Sequence, residues 1–185
     1  MERSSIEKEE VFMDTKLDVP YFSQYKDVQE PSHRLTSCGM TCVYMALQYL
    51  GSETPTLDEM IQGGVEAGGY GRSGWIHDYF VNLFQESGYE CERHEHMRDS
   101  DVHMISFAIK NGSPVILSVE RRLWDQRLFH MVLITGVRES SNGDLEGFFY
   151  HDPASLRENG SRHLYVPLGT FYLDWRRMAI FPKKK

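Results

Sequence analysis

Apolar residues recur at helical spacing in four segments between residues 38 and 112. In residues 38–50 one face carries Cys42, Met45, Ala46, Tyr49 and Leu50, which predicts a helix. Thr36 and Ser37 supply capping hydroxyls ahead of it, and Gly51 ends it. A second helix is predicted to begin at the capping box TLDE (residues 56–59) and to end among the glycines of residues 63–69. A third is predicted over residues 73–87, and a fourth between Ser100 and Gly112. The glycine-rich residues 68–74 are predicted to form a loop.

The pattern changes after Gly112, where short runs rich in Val, Ile and Leu predict strands at residues 114–120, 129–137, 147–151, 164–166 and 178–181. Asn142-Gly143 predicts a hairpin turn, and residues 168–175 a short turn of helix. An edge strand is also predicted at residues 17–22, since Pro20 would be excluded from a central one. Helices followed by antiparallel strands predict an α+β fold. A single domain is expected over residues 17–185, with a helical lobe over about 17–112 and a sheet lobe over about 113–182.

Composition limits the function classes. The formal net charge is −7 and the mean hydropathy is −0.47. The acidic balance argues against a nucleic acid partner, and no apolar run reaches the ~20 residues of a membrane helix. Residues 1–16 are charged and aperiodic, which predicts a flexible arm. Because the N-terminus carries no apolar signal segment, we expect a cytoplasmic protein. The sequence does not indicate an oligomeric state.

Cys38 is the first candidate for chemistry. A cysteine at the first turn of a helix has a lowered thiol pKa, because the helix N-terminus carries partial positive charge. Taken alone, Cys38 would be interpreted as a small buried hydrophobe, as Cys42 is. Cys38 and Cys42 lie four residues apart, but no His or Cys cluster stands nearby in sequence. We therefore expect neither a metal ion nor a cofactor.

Two further residues fit a base and its orienting partner. His130 lies near the start of an apolar strand, and Asp152 ends another strand just before Pro153. If Asn142-Gly143 joins these strands in a hairpin, His130 and Asp152 lie at the same end of the sheet. The neighbouring His151 points to the opposite face of its strand and is the weaker candidate.

Other polar and aromatic residues gave weaker signals. Gln24 lies 14 residues before Cys38, and its side-chain amide could donate to an oxyanion. Trp75 either walls a cleft or belongs to the core, and His77 has a surface role by default. The histidines of residues 93–103 match no common metal-site spacing, so a solvated loop is expected there.

The order of these residues resembles the papain-like cysteine peptidases. The matching segments are VPYFSQ (19–24), SCGMTC (37–42), GSPVI (112–116), HMVLITG (130–136) and HDP (151–153), with Phe171 and Trp175 further on. The closest resemblance is to the bacteriocin-processing, double-glycine leader peptidases and their stand-alone bacterial relatives. It implies a papain-like fold in which Cys38 is the nucleophile, His130 the base, Asp152 its orienter and Gln24 part of the oxyanion hole.

Three functions remain open at this stage. The first is a cysteine peptidase that acts on a peptide or protein substrate. The second is a thiol acyltransferase or amidase on the same fold, and the third is a non-catalytic peptide-binding module. The presence of all four catalytic residue types argues against the third. Transporter-linked members of the resembling family carry a membrane span and an ATPase, which this sequence lacks, so leader cleavage is one option among several.

Overall fold

The structure is a computed structural model that describes residues 11–123, 126–154 and 162–183. Its helices are α1 (Cys38–Leu50), α2 (Leu57–Glu66), α3 (His77–Glu86), α4 (Val102–Lys110) and α5 (Leu168–Asp174), with short 3-10 turns at Pro31–His33 and Asp99–Asp101. The strands are β1 (Phe12–Lys16), β2 (Tyr70–Gly71), β3 (Gly74–Trp75), β4 (Glu90–His94), β5 (Val115–Leu123), β6 (Gln126–Ser140), β7 (Leu145–His151), β8 (Leu164–Pro167) and β9 (Trp175–Lys183).

One antiparallel sheet organises the described residues. Its strand order is β4-β9-β5-β6-β7-β8, and β1 pairs with the second half of β6. The last strand of the chain, β9, therefore lies between β4 and β5. The β6-β7 hairpin turns at Asn142-Gly143, where Gly143 adopts a φ of 85°, and this confirms the predicted turn.

The helices pack against this sheet around a shared apolar core. Helices α1 and α4 contact β6, α3 contacts β4, and α5 contacts β7. Helices α1 and α3 approach closely at Gly39, where an added Cβ would lie 2.6 Å from the ring of Phe80. Phe80 is fully buried, so a side chain at position 39 would have to displace a well-packed ring. The described residues contain no helix with the length and apolarity needed to cross a membrane.

Helix α1 has the predicted bounds. Gly51 ends it in the left-handed region at a φ of 83°, and its N–H donates to the carbonyls of Gln48 and Leu47. The predicted cap at its start is wrong, because Ser37 makes no side-chain capping hydrogen bond. The capping box of α2 is confirmed, with Thr56 and Glu59 each bonding the other's backbone N–H.

Two elements differ from the sequence predictions at the N-terminal end and before α3. The edge strand predicted at residues 17–22 is wrong, and strand β1 lies just before it, inside the predicted arm. Residues 1–10 of that arm lie outside the described residues. Helix α3 begins at His77, because Gly74 and Trp75 pair with Gly71 and Tyr70 in a small β2-β3 hairpin.

Candidate active site

Cys38 is the first residue of α1 and lies at the edge of a cleft. A side-chain hydrogen bond joins its thiol to His130, and the backbone N–H groups of Gly39 and Met131 also reach the sulfur. Burial alone would raise the pKa of this thiol. The contacts with His130 and the two N–H groups outweigh burial, so the pKa of Cys38 is lowered.

His130 and Asp152 form a buried pair on the central hairpin. His130 lies on β6 and Asp152 directly follows β7, and the register of the two strands places Leu133 opposite His151. The imidazole Nε2 donates to Asp152 Oδ1 over 2.8 Å. Asp152 Oδ1 also accepts the N–H of Ala154 at 2.9 Å, which fixes the carboxylate. Because Nε2 is bound to Asp152, Nδ1 is the ring nitrogen that faces the sulfur of Cys38.

The electrostatics of the Cys38–His130 pair favour a charged state. Burial would lower the pKa of His130, but the hydrogen bonds that the imidazole makes with Asp152 and Cys38 raise that pKa to about 9. The thiol pKa moves down and the imidazole pKa moves up. Both shifts favour a thiolate–imidazolium ion pair near neutral pH, which is the reactive form of a cysteine nucleophile.

Gln24 is buried beside the loop that carries Asp152, with 2% of its surface exposed. Its side-chain Nε2 donates to the carbonyl of Arg34 at 2.6 Å, and its backbone N–H donates to the carbonyl of Pro153 at 2.9 Å. Tyr21 adds a second link, since its hydroxyl donates to the carbonyl of Asp152 at 2.8 Å. These bonds fix the loop that carries Gln24 to the residues around Asp152. Gln24 itself does not line the cleft.

The structure separates His151 from this site. Its Nε2 bonds the carbonyl of Val19 at 3.0 Å, and its Nδ1 accepts the N–H of His163. Burial first, and then the charges of His163 and Arg162, lowers the pKa of His151 to about 4. The His151 imidazole is neutral and held by backbone groups, so its role is structural. This agrees with the sequence analysis, in which His151 points to the opposite face of its strand.

The cleft beside Cys38 has a volume of about 550 Å³. Trp75 forms one wall, and its indole N–H donates to the carbonyl of Thr36 at 2.8 Å. His77 also lines the cleft rather than a plain surface. The sequence analysis gave no role to several further lining residues, among them Arg72, Phe129 and Arg176. No motif marks them, and Arg176 reaches the cleft only because β9 pairs with β5.

The remaining cysteines and histidines form no second centre in the described part of the chain. Cys42 is fully buried on α1 and Cys91 is 5% exposed on β4. Burial, followed by the charges of Cys38 and Asp152, raises the pKa of Cys42. Across residues 11–123, 126–154 and 162–183, no three His, Cys, Asp or Glu side chains are grouped to hold a metal ion.

The helices packed on an antiparallel sheet, with a cysteine at a helix start facing a strand histidine, define a papain-like cysteine peptidase fold. The model of the peptidase C39-like family matches residues 16–180, and the chain belongs to this family. It is accordingly a cysteine-type peptidase. No curated protein sequence matches the chain.

Solved structures share the fold at low sequence identity. A double glycine motif protease from an AMS/PCAT transporter, solved in complex with the leader peptide, is 16% identical with a TM-score of 0.57, over 91% of this chain and 94% of that one. The peptidase domain of Streptococcus ComA, a bi-functional ABC transporter involved in a quorum sensing pathway, is 15% identical with a TM-score of 0.57, over 92% and 99%. UfSP from C. elegans is 14% identical with a TM-score of 0.55, over 96% of this chain and 35% of that one.

Proposed function

We propose that the protein hydrolyses a peptide bond by a Cys38–His130–Asp152 mechanism, with Gln24 as an oxyanion donor. The observation that carries this proposal is the continuous contact from the Cys38 thiol through His130 to Asp152 at the edge of an open cleft. A peptide substrate is supported by the neighbouring double glycine motif protease, which was solved with its leader peptide. A peptide that contains a double glycine is therefore the first substrate to test.

The reaction proceeds in two halves. The Cys38 thiolate attacks the scissile carbonyl carbon, and the carbonyl oxygen becomes an oxyanion. As the C–N bond breaks, the His130 imidazolium gives its Nδ1 proton to the leaving amine, which leaves a thioester on Cys38. Water then gives a proton to His130 as its oxygen attacks the thioester, and the C–S bond breaks to release the acid. Asp152 holds Nε2 and stabilises the imidazolium.

The oxyanion hole has two donors in this proposal. The N–H groups in the first turn of α1 have no intrahelical partners, and that of Cys38 is the nearest to the reacting carbon. The amide of Gln24 carries two hydrogens, of which one is bound to the Arg34 carbonyl. The second hydrogen is the proposed donor to the developing oxyanion.

Replacement of the amide tests this role. Gln24→Ala is expected to lower kcat/KM by roughly 100-fold or more, the usual effect of losing one oxyanion donor. It should also destabilise the fold by about 1 kcal/mol, because the buried bond to Arg34 is lost. Steady-state kinetics on a verified peptide and a thermal melt measure the two effects.

The matched control is Gln29→Ala, since Gln29 is exposed on the same loop. This variant should keep wild-type kinetics. Full turnover in a folded Gln24→Ala protein would remove Gln24 from the mechanism.

A charge-removing variant tests the orienting role of Asp152. In Asp152→Asn the amide cannot stabilise the imidazolium as a carboxylate does, so the pKa of His130 should fall from about 9. We expect kcat/KM to drop by roughly 10- to 100-fold and its alkaline limb to move to lower pH. A uniformly lower pH profile with an unmoved alkaline limb would indicate a purely structural effect.

Hydrolysis passes the acyl group of the thioester to water, whereas an acyltransferase would pass it to an amine. The two outcomes therefore have to be tested against each other. The protein is incubated with a double-glycine peptide pool in the presence and absence of added amines, and products are identified by mass spectrometry. Products with a free carboxylate in both conditions support hydrolysis. Amine-ligated products as the main species would favour an acyltransferase.

A further inference from the structure

Two arginines line the cleft next to Cys38. Arg72 lies in the turn between β2 and β3, and Arg176 is the second residue of β9. The two residues are far apart in the sequence, yet both border the same space. None of the described residues that line this cleft carries a carboxylate.

Several other arginines of this acidic chain are paired with carboxylates. Arg93 pairs with Asp78 and Glu95, Arg138 with Asp14, and Arg177 with Asp99. Arg72 and Arg176 have no such ion pair among the described residues. The described part of a chain with a net charge of −7 thus holds two cations at the mouth of the site that have no counterion among its residues.

Arg176 is also held in a defined position. One of its terminal nitrogens donates to the hydroxyl of Ser118 at 2.9 Å, and its guanidinium stacks 3.6 Å from the ring centroid of Phe129. Phe129 and Arg176 line the same cleft as Cys38 and His130, so this stacking holds the cation at the wall of that cleft. The guanidinium has five N–H donors in a planar fork, and the Ser118 bond uses one of them. The remaining donors match the two oxygens of a carboxylate.

His77 is another titratable side chain that lines the cleft. Burial, followed by the charge of Arg93, lowers the pKa of His77, and Arg176 adds to this effect. The shift favours the neutral imidazole, so His77 adds little positive charge to that of the two arginines.

We propose that Arg72 and Arg176 bind a carboxylate of the peptide substrate close to the scissile bond, so that the enzyme selects acidic peptides. This inference rests on the proposed peptidase function and names its substrate class. The carboxylate comes either from an Asp or Glu side chain or from the C-terminus of the peptide. Both sources offer the same planar pair of oxygens.

The first test uses alkylation of Cys38 and needs no turnover. Iodoacetate and iodoacetamide both form an S–C bond with the thiolate and release iodide, but only iodoacetate carries a carboxylate. The ratio of their rates at Cys38 should fall about two- to fivefold when either arginine is changed to Gln, and about tenfold in the double variant. His130 is present in every variant, so its charge cancels from the comparison.

Added salt should shrink the difference, since exposed charges are screened. The matched control is Arg98→Gln, which removes one charge from a side chain that is 82% exposed and lies outside the cleft. This control should keep the wild-type ratio. An unchanged ratio in the folded double variant would overturn the proposal.

The second test measures peptide binding to Cys38→Ala by fluorescence anisotropy. Peptides with a central Gly-Gly carry Glu or Gln at each flanking position, with a free or amidated C-terminus. Tighter binding of Glu peptides supports a side-chain carboxylate, and tighter binding of free acids supports the C-terminal one. Either preference should disappear in the Arg72→Gln/Arg176→Gln background, and no preference in the parent variant would refute the inference.

The two tests separate the inference from the function on which it rests. If the wild-type protein cuts none of these peptides but the carboxylate preference persists, the peptidase proposal fails while the anion site stands. If peptides are cut without regard to charge, hydrolysis stands and the carboxylate site is rejected.

Discussion

Iodoacetamide at mildly acidic pH is expected to modify Cys38 at least 1,000-fold faster than Cys42 or Cys91. The Cys38 pKa is lowered, whereas burial, followed by the charge of Glu92, raises the pKa of Cys91 to about 12. At pH 6 a thiol with a pKa of about 12 is ionised to only about one part in 10⁶. Cys42 is fully buried, and its pKa is also raised. Limited alkylation followed by peptide mapping ranks the three rates.

Two controls sharpen this measurement. In urea-unfolded protein the three cysteines should react at similar rates, because the folded environments are gone. In His130→Ala the preference for Cys38 should shrink but persist, since the start of α1 still stabilises the thiolate. Equal rates in the folded protein, or faster modification of Cys91, would reject Cys38 as the nucleophile.

The second large effect is expected for His130→Ala, which should lower kcat/KM about 10⁴-fold or more. Without the imidazole, no group is in place to donate a proton to the leaving amine or to accept one from the attacking water. His103→Ala serves as the matched control, because His103 is an exposed histidine on α4. A His130→Ala protein that melts like the wild type and retains more than a tenth of its activity would contradict the assignment.

The pH profile of the wild-type enzyme follows from the same pair. The active form holds a thiolate and an imidazolium, so activity should fall as pH rises through about 9, where His130 loses its proton. The acidic limb should lie below the ordinary cysteine range, because the pKa of Cys38 is lowered. These limbs belong to the coupled pair and not to either residue alone. In His130→Ala the alkaline limb near pH 9 should vanish.

Local signals in the sequence were sufficient for α1 and for the β6-β7 hairpin. The apolar face and Gly51 define α1, and Asn142-Gly143 defines the turn that brings Asp152 to His130. In both cases the determinants lie within a few residues of the element. The structure places Cys38, His130 and Asp152 together, although their catalytic roles remain predictions.

Strand β1 was missed because its sequence has no buried face. All five of its residues are exposed, so no alternation of apolar and polar positions marks it. Pairing with β6 instead depends on Gly136, where an added Cβ would lie 2.7 Å from the carbonyl oxygen of Thr15. The adjacent residues 17–22 have the apolar pattern, but the partners of this segment include the His151 imidazole and the carbonyl of Asp152 rather than a strand ladder.

The cleft was beyond the reach of sequence reasoning for a different reason. Phe129 and Arg176 come together through the β6-β5-β9 ladder, and tertiary packing brings the separate β2-β3 hairpin with Arg72 to the same cleft. No spacing rule connects residue 72 with residue 176. The burial of Gln24 against Arg34 and Pro153 also follows from tertiary packing, so its replacement is expected to destabilise the fold although Gln24 lies in a loop.

The central position of β9 has a consequence for biosynthesis. Strand β4 pairs with β9, and β9 lies between it and β5, so β4 has no neighbour in the sheet until β9 has been translated. Such long-range closure is slow and comes late in folding. Arg176 lies on the same strand, so one wall of the substrate cleft is also absent until then. A ribosome-bound chain that carries Cys38, His130 and Asp152 but lacks β9 would therefore lack this wall of the cleft, and under the proposed mechanism proteolysis would wait until the sheet is complete.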